Sequence, residues 1–185
     1  MQMSLDGFAE GPDNDAHWPV VDEELSESFL DQLAQADMFL YGRKTYEIMA
    51  RFWPWADGDP AISPFYVDFA RCWKQTPKVV FSNTLASAPW NTTVLNGNLL
   101  EEVTELKARR NCAMVLFGGA QTASAFMKHN LIDEYRLFVH PVLLGGGTAL
   151  FPTSAQMAGL ELVDVTTFDS AVVHVHYQRA AQVAA

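Results

Sequence analysis

The sequence predicts an α/β fold with a largely parallel sheet, and three observations carry that expectation. Short apolar runs alternate with helical stretches through the first two thirds of the chain, the pattern that crossover connections between parallel strands produce. Three of those runs end at junctions, after Tyr41, Phe81 and Phe117, where the chain turns sharply. Two period-two segments, Leu160 to Phe168 and Ala171 to Gln178, flank Asp169-Ser170 and read as a closing antiparallel hairpin. At 185 residues the chain suffices for one sizeable core. No repeat or low-complexity linker interrupts it, so residues 1–185 are expected to form a single domain.

Met1 to Leu5 is a strand-like start, closed by the turn signal Asp6-Gly7. Asp6 either caps that turn or takes part in chemistry. Gly11 to Trp18 is polar and turn-rich and reads as a loop. Asp22 to Ala36 is an amphipathic helix: Leu25, Phe29, Leu30 and Leu33 share a face, and Asp22, Glu23 and Glu24 fill a first turn where acids suit the dipole. Met38 to Tyr41 is a strand, Gly42-Arg43-Lys44-Thr45 follows at once, and Tyr46 to Phe52 continues as a helix. Trp53 to Pro60 is an aromatic, proline-punctuated loop. Its Trp53 and Trp55, with Phe65 and Tyr66, either line an apolar pocket or staple the loop to the core.

Lys78 to Phe81 is a buried strand ending in Ser82-Asn83-Thr84, whose side chains contact a phosphate or cap a turn. Val94 marks a short strand, and Leu99 to Arg109 a helix with Leu100, Val103 and Leu106 inward. Met114 to Phe117 is a further buried strand, Gly118-Gly119 turn the chain, and Ala120 to Lys128 has helical spacing. Leu131 to Leu144 is a turn running into a long strand, which Gly145-Gly146-Gly147 ends.

Composition excludes several classes of function. Hydrophobic residues make up 49% and charged residues 18%, which is globular rather than disordered. No apolar run approaches the roughly 20 residues of a membrane span. The start Met-Gln-Met-Ser-Leu-Asp lacks the basic-then-apolar pattern of a signal peptide, so a cytoplasmic protein is expected. Cys72 and Cys112 form neither a metal spacing nor a disulfide framework. His174 and His176 share a strand face without a third ligand nearby, which reads as a polar strand face; no metal is expected. Elbow, zincin and P-loop motifs are missing, as is a Gly-x-Gly-x-x-Gly after a strand. A net charge of −10 argues against a nucleic-acid surface.

In so acidic a chain, positive clusters are scarce and therefore informative. Helix N-termini disfavour cations, yet Arg43 and Lys44 sit beside one. They either solvate that helix end or are compensated by an anion. After Phe117 a strand, a glycine pair and a helix start bring free backbone N–H groups to one spot, a recipe for holding phosphate. In parallel sheets ligands bind beyond the C-terminal strand ends, where all three junctions are expected to lie. Their convergence points to a single nucleotide-like site.

Five segments, taken together, resemble one family: Ser4-Leu-Asp-Gly7, Gly42-Arg-Lys-Thr-Tyr-Glu47, Phe117-Gly-Gly-Ala120, Leu131-Ile-Asp-Glu-Tyr135 and Pro141-Val-Leu-Leu-Gly-Gly-Gly147. In this order and spacing they are similar to the dihydrofolate-reductase-like group, in particular the C-terminal reductase domain of the bifunctional riboflavin-biosynthesis deaminase/reductase. The resemblance implies a three-layer α/β fold with a mostly parallel, eight-stranded mixed sheet, helices on both faces and a C-terminal antiparallel hairpin. It implies NADPH bound across the strand ends and, from the riboflavin branch, a homodimer. Arg43 would pair with the adenosine 2′-phosphate, and Lys44 and Thr45 would meet phosphates at the helix start. Ser82 and Asn83 would flank the adenosine, and Gly118, Gly119, Ala120, Gln121 and Thr122 would cradle the pyrophosphate. The nicotinamide would lie near Met3, Ser4 and Phe117. Ser4, Asp6 and Trp18, with Trp53 and Tyr66 of the aromatic loop, make up the expected substrate side.

The sequence also departs from the family pattern. Counting from Trp18, the carboxylate that protonates pterin in true dihydrofolate reductases falls on Glu23; counting back from Gly42, it falls on Ser26. The arginine that grips the folate tail has no match, and Pro77 stands near its place, which argues against folate. No zinc-ligand spacing of a deaminase accompanies the reductase-like segments, and only Met1 to Met3 precede Ser4, a short first strand. The expected activity is hydride transfer from NADPH to a flat, conjugated small molecule, pterin-, flavin- or ribityl-pyrimidine-like, with Glu23 as the candidate proton donor. The alternatives are a non-catalytic NADP(H)-binding module and a flavin or pterin carrier that uses the aromatic loop alone.

Overall fold

The computed structural model describes residues 1–58, 62–109, 112–151 and 159–180. Its elements in chain order are β1 (Gln2–Ser4), β2 (Phe8–Glu10), α1 (Glu23–Ala34), β3 (Met38–Gly42), α2 (Arg43–Ala56), α3 (Pro64–Gln75), β4 (Lys78–Phe81), β5 (Thr92–Leu95), α4 (Leu99–Ala108), β6 (Met114–Gly118), α5 (Ala120–Lys128), β7 (Glu134–His140), β8 (Thr148–Ala149), β9 (Leu160–Thr167) and β10 (Val173–Arg179). The architecture is mixed α/β. Contacts divide the chain into two compact units, Leu25–Thr122 and Met1–Glu24 with Ala123–Ala185. No helix among the described residues is long and apolar enough to cross a membrane.

The Leu25–Thr122 unit carries a four-stranded sheet in the order β5-β4-β3-β6, parallel throughout. Helices α2 and α3 between β3 and β4, and α4 between β5 and β6, carry the chain back so that those strands run in the same direction, while the irregular segment 82–91 does so between β4 and β5. Phe39, Tyr41, Tyr46, Phe69, Trp73, Val80 and Leu33 are nearly or fully buried in one cluster. Trp73 donates its indole N–H to the Tyr41 hydroxyl at 3.0 Å, which satisfies two polar atoms that burial would otherwise strand. Lys78 is 1% exposed. Its ammonium lies 4.4 Å from the Trp73 ring centroid and donates to the Trp73 and Thr76 carbonyls at the end of α3, while burial lowers its pKa to about 8.

The other unit holds a mixed sheet, β1-β7-β10-β9, and a two-stranded ribbon, β2-β8. β1 runs parallel to β7, and β10 is antiparallel to both β7 and β9. The expected closing hairpin is therefore present as β9–β10. Its turn is held by Ala171 N–H to the Phe168 carbonyl at 2.8 Å and Phe168 N–H to the Val172 carbonyl at 3.0 Å. β7 stops at His140 because Pro141 has no N–H to continue the ladder. The eight-stranded sheet implied by the resemblance is matched only roughly, since the strands divide among these three sheets.

Two local expectations need correction. The segment from Trp53 is not a loop: α2 runs through Trp53, Pro54 and Trp55 to Ala56. A proline so near the helix C-terminus removes one N–H bond but leaves the preceding turns intact, and Trp53 beside it packs on Phe69 and Tyr66 of α3. Asp59 and Pro60, the end of the expected loop, lie outside the described residues. Next, Phe65 and Tyr66 belong to helix α3, with Ser63 at its N-cap and Pro64 in its first turn. Serine followed by proline at the first helical position is itself a start signal, and the spacing Phe65, Phe69, Trp73 repeats a helical face.

Candidate functional site

The three junctions lie side by side. Across the parallel sheet Gly42 pairs with Phe81, Tyr41 with Gly118 and Phe81 with Leu95, so the chain leaves β3, β4 and β6 at one edge. At that edge the Gly119 N–H donates to Thr45 Oγ1 at 2.8 Å, tying the glycine pair after β6 to the first turn of α2. Gly118 and Gly119 are joined by a cis peptide bond, and Gly118 has φ +81, a left-handed conformation that disfavours a side chain. Gly42 caps α2 without any side chain, and a β-carbon there would fall on the Thr122 hydroxyl. Close packing of Gly42 on Thr122 thus joins the start of α2 to the start of α5.

Charge at this edge is basic but internally balanced. Arg43 Nη1 lies 3.0 Å from both Glu47 carboxylate oxygens, with the two side chains 40% and 35% exposed. This is an i,i+4 pair on a half-open helix face, and a stronger acceptor can displace it. Lys44, Asn83 and Gln121 are exposed at the same junctions, Thr45 and Thr122 are half-buried, and Ala120 is buried. The first-turn amides of α2 add partial positive charge. Glu47 is the one member that the sequence reading passed over, although its four-residue spacing from Arg43 signals the pair.

Other residues turn out to be occupied in structural roles. Ser82 Oγ accepts from the N–H groups of Thr84 and Leu85 at 3.2 and 3.1 Å, the turn-capping alternative. Phe117 is packed among aromatic rings, 4.9 Å from Phe39, 5.2 Å from Tyr41 and 6.3 Å from Phe29 and Phe69. Trp53 lies 4.1 Å from Phe69 and stacks on Tyr66 at 5.5 Å, so it staples α2 to α3. Tyr66 remains 37% exposed. A cavity of about 230 Å³ opens at the far end of the sheet, lined by Met38, Pro77 and Lys78 at the strand starts and by α4. The starts of α2 and α5 and the basic residues Arg43 and Lys44 lie at the opposite end.

In the unit containing both chain ends, Asp6 organises a turn. Its oxygens accept from Ser4 Oγ at 2.7 Å and from the Leu144 and Gly145 amides at 3.1 and 2.8 Å. The Ser4 bond, followed by the two amides, holds its pKa below the usual carboxylate value. Ser4 is fully buried and accepts from the Phe8 N–H at 2.9 Å, so its hydroxyl is spent. Trp18 sets its ring edge-on to His140 at 5.3 Å, and its indole N–H is buried without a protein acceptor. His140 accepts from the Val20 N–H at 3.2 Å and contacts the Gln2 carboxamide; burial lowers its pKa. Glu23 stands exposed at the first position of α1, whereas Ser26 is 9% exposed. No group of three or more His, Cys, Asp or Glu side chains among the described residues can hold a metal ion.

The sequence model of the RibD C-terminal domain matches residues 1–174. The chain belongs to the RibD C-terminal domain family. Among its relatives is the uncharacterized protein YyaP of Bacillus subtilis (strain 168), 35% identical over 180 residues, which cover 96% of this chain and 91% of YyaP. A Shewanella sp. PV-4 structure named for riboflavin biosynthesis is similar with TM-score 0.75 and 21% identity, covering 98% of this chain and 97% of the other. Dihydrofolate reductase from Enterococcus faecalis, complexed with NADP(H), is similar with TM-score 0.65 and 13% identity over 97% of this chain and 94% of the enzyme. These two structures speak for the fold. RibD C-terminal domains and dihydrofolate reductases thus share the dihydrofolate-reductase-like architecture found here.

Proposed function

We propose that this RibD C-terminal family member is an NADPH-dependent reductase acting on a flat, conjugated small molecule of the pterin, flavin or ribityl-pyrimidine kind. In this reading the two units work together as one domain, and the protein is a homodimer. The observation that carries the reading is the row of three neighbouring strand ends, two of them joined by the Gly119–Thr45 hydrogen bond, with Arg43 in the same turn as Thr45. The donor set suits the phosphates of a dinucleotide: a guanidinium for a phosphate monoester, and helix-start amides with a side-chain-free glycine for the diester. The family's structural likeness to an enzyme complexed with NADP(H) supports the same assignment.

Arg43 would hold the 2′-phosphate by exchanging its Glu47 partner for it, with Lys44 as a second positive charge. The hydroxyl of Thr45 accepts from Gly119 and keeps its own proton to donate toward a phosphate oxygen. Gly118 to Thr122 would line the pyrophosphate. NADPH, when bound, supplies the hydride; the chain supplies orientation and exclusion of water. Titration followed by nicotinamide fluorescence tests the proposal: NADPH should bind at least tenfold more tightly than NADH, and a pterin, flavin or ribityl-pyrimidine should oxidise it. Equal affinity for the two nucleotides would remove the Arg43 assignment.

A second reading, a binding module without turnover, is favoured by one observation. Glu23 is exposed at the head of α1, and the alternative position holds Ser26, which is not a carboxylic acid. Absence of turnover across the acceptor panel, with NADPH still bound, would select this reading.

A further inference from the structure

Strands β1 and β7 run parallel and finish side by side, Ser4 against His140. The space beyond the C-terminal ends of parallel strands is where such sheets receive ligands, and around this pair the rim is apolar. Leu5, Val20, Val21 and Leu143 are 64%, 53%, 49% and 70% exposed. Hydrogen bonds gather their segments at one place. The Leu5 N–H donates to the Val142 carbonyl at 2.9 Å, the Leu144 N–H to Asp6 at 3.1 Å and the Val20 N–H to His140 Nδ1 at 3.2 Å. Trp18 stands edge-on to the same imidazole, and its buried indole N–H has no acceptor among the described residues. A buried donor without a partner is costly, and an acceptor atom on a bound molecule would complete it.

Charge is sorted along these strands. Every Asp, Glu, Lys or Arg in residues 1–24 is an acid, and residues 137–151 carry none of the four. Asp6 keeps its negative charge, because the Ser4 hydroxyl and the Leu144 and Gly145 amides hold its pKa low. The hairpin turn after β9 lies at the same end, since Val173 opposes Val139. There Asp22 and Glu24 accept from the Ser170 and Asp169 N–H groups at 2.7 and 3.4 Å. His140 adds no positive charge, because burial lowers its pKa. The basic side chains of this unit, Lys128, Arg136 and Arg179, belong to the other end. Arg136 precedes His140 by four residues, about 13 Å of strand, and pairs with Glu134 at 3.1 Å. Arg179 donates to the Asn130 carbonyl at 2.8 Å, and Lys128 closes α5 two residues before that carbonyl.

We infer that the molecule received at the β1–β7 strand ends is a flat ring without phosphate or carboxylate groups, so that the proposed reductase takes the free alcohol form of its acceptor and rejects the phosphate ester. An ester brings about −1.5 to −2 charge to an end that offers carboxylates and an aliphatic rim, with no guanidinium or ammonium to pair it. Placing it there strips its hydration without a compensating partner. A neutral ring loses little: its faces meet leucine and valine, and a ring carbonyl or nitrogen takes the Trp18 N–H. Arg43 and Lys44, in the proposed function, are committed to the phosphates of NADPH. The inference rests on the NADPH-dependent reductase reading and adds the charge class of the acceptor.

Matched acceptors that share a ring and differ by a phosphate test it: riboflavin with FMN, and dihydroneopterin with its triphosphate. Each is given to the full chain at saturating NADPH, and oxidation of the nucleotide is followed by absorbance. The alcohol should show a KM roughly tenfold or more below that of its ester, and the gap should narrow as salt rises. Leu143→Lys, which sets an ammonium on the rim, should narrow it too, by lowering the KM of the ester. An ester equal to or better than its alcohol would overturn the inference and leave the reductase reading standing. A preference unmoved by both salt and Leu143→Lys would be one of shape, and would also overturn it. Should the variant fail to fold, the salt dependence of the wild type decides alone. NADPH that binds but is oxidised by neither member of either pair would overturn the reductase reading, and the inference falls with it.

Discussion

Thr45 and Gly119 meet through a 2.8 Å hydrogen bond from the glycine N–H to the threonine hydroxyl, across 74 residues of sequence. Through it the first turn of α2 and the bend after β6 hold one geometry. Replacing Thr45 by Val keeps the shape and removes the acceptor. The half-buried N–H then loses its partner, at a cost of about 1–3 kcal/mol. Chemical denaturation should show that loss, NADPH affinity should fall with it, and Thr45→Ser should restore both. Unchanged stability in the Val variant would mean that the two junctions are held by packing alone.

Arg43 offers a test of charge recognition. Charged hydrogen bonds contribute about 1.5–3 kcal/mol, so Arg43→Ala should weaken NADPH binding by roughly ten- to a hundredfold and leave NADH nearly unaffected. Glu47→Gln should strengthen NADPH binding, because it removes the carboxylate that competes for the guanidinium. Parallel losses for both nucleotides in Arg43→Ala would indicate damage to the fold.

Gly42 tests the packing of α2 against α5. A β-carbon at this position collides with the Thr122 hydroxyl, and overpacking of this kind costs about 1–3 kcal/mol. Gly42→Ala should therefore lower the thermal midpoint, and adding Thr122→Ala should recover most of the loss. The recovery, measured as a double-mutant cycle, reports the contact itself.

His174 sets a pH dependence. Its ring stacks on Phe138 at 4.7 Å and its Nε2 is buried without a partner. Burial, reinforced by the positive amino terminus, His176 and Arg136 and opposed by Asp164, lowers its pKa from 6.5 to about 4. Between those values the unfolded chain binds a proton that the folded chain refuses. Stability is therefore full above pH 6.5 and declines as pH falls toward 4, by on the order of 3 kcal/mol from this group. His174→Leu should flatten that part of the urea-midpoint profile, and identical slopes for wild type and variant would exclude the histidine as its source.

Much of the fold was legible because strand period and helix spacing agree with burial. Lys78–Phe81 is a strand with the bounds the apolar run suggests, and Ala120–Lys128 is a helix over the residues that carry its spacing. The failures have local causes. Pro54 between two tryptophans has the look of loop punctuation, yet near a helix C-terminus proline is tolerated, and Trp53 packs on Phe69 and Tyr66. Pairs such as β2–β8 are invisible in sequence, because two and three residues carry no period. At the candidate site the junctions could be read, since glycine and basic residues beside strand ends have a physical reason to be there. Their occupancy could not be read: that Ser82 caps a turn, that Asp6 holds Leu144 and Gly145, and that Phe117 lies among rings are facts of tertiary placement.

Lys78 has a practical consequence. With its ammonium roofed by the Trp73 indole and tied to the end of α3, it is shielded from amine-directed reagents that modify exposed lysines quickly. Its labelling rate, followed by mass spectrometry, then becomes a clock for the opening of that one corner. Denaturant too dilute to unfold the chain as a whole should speed the clock well before any change appears in the global signal.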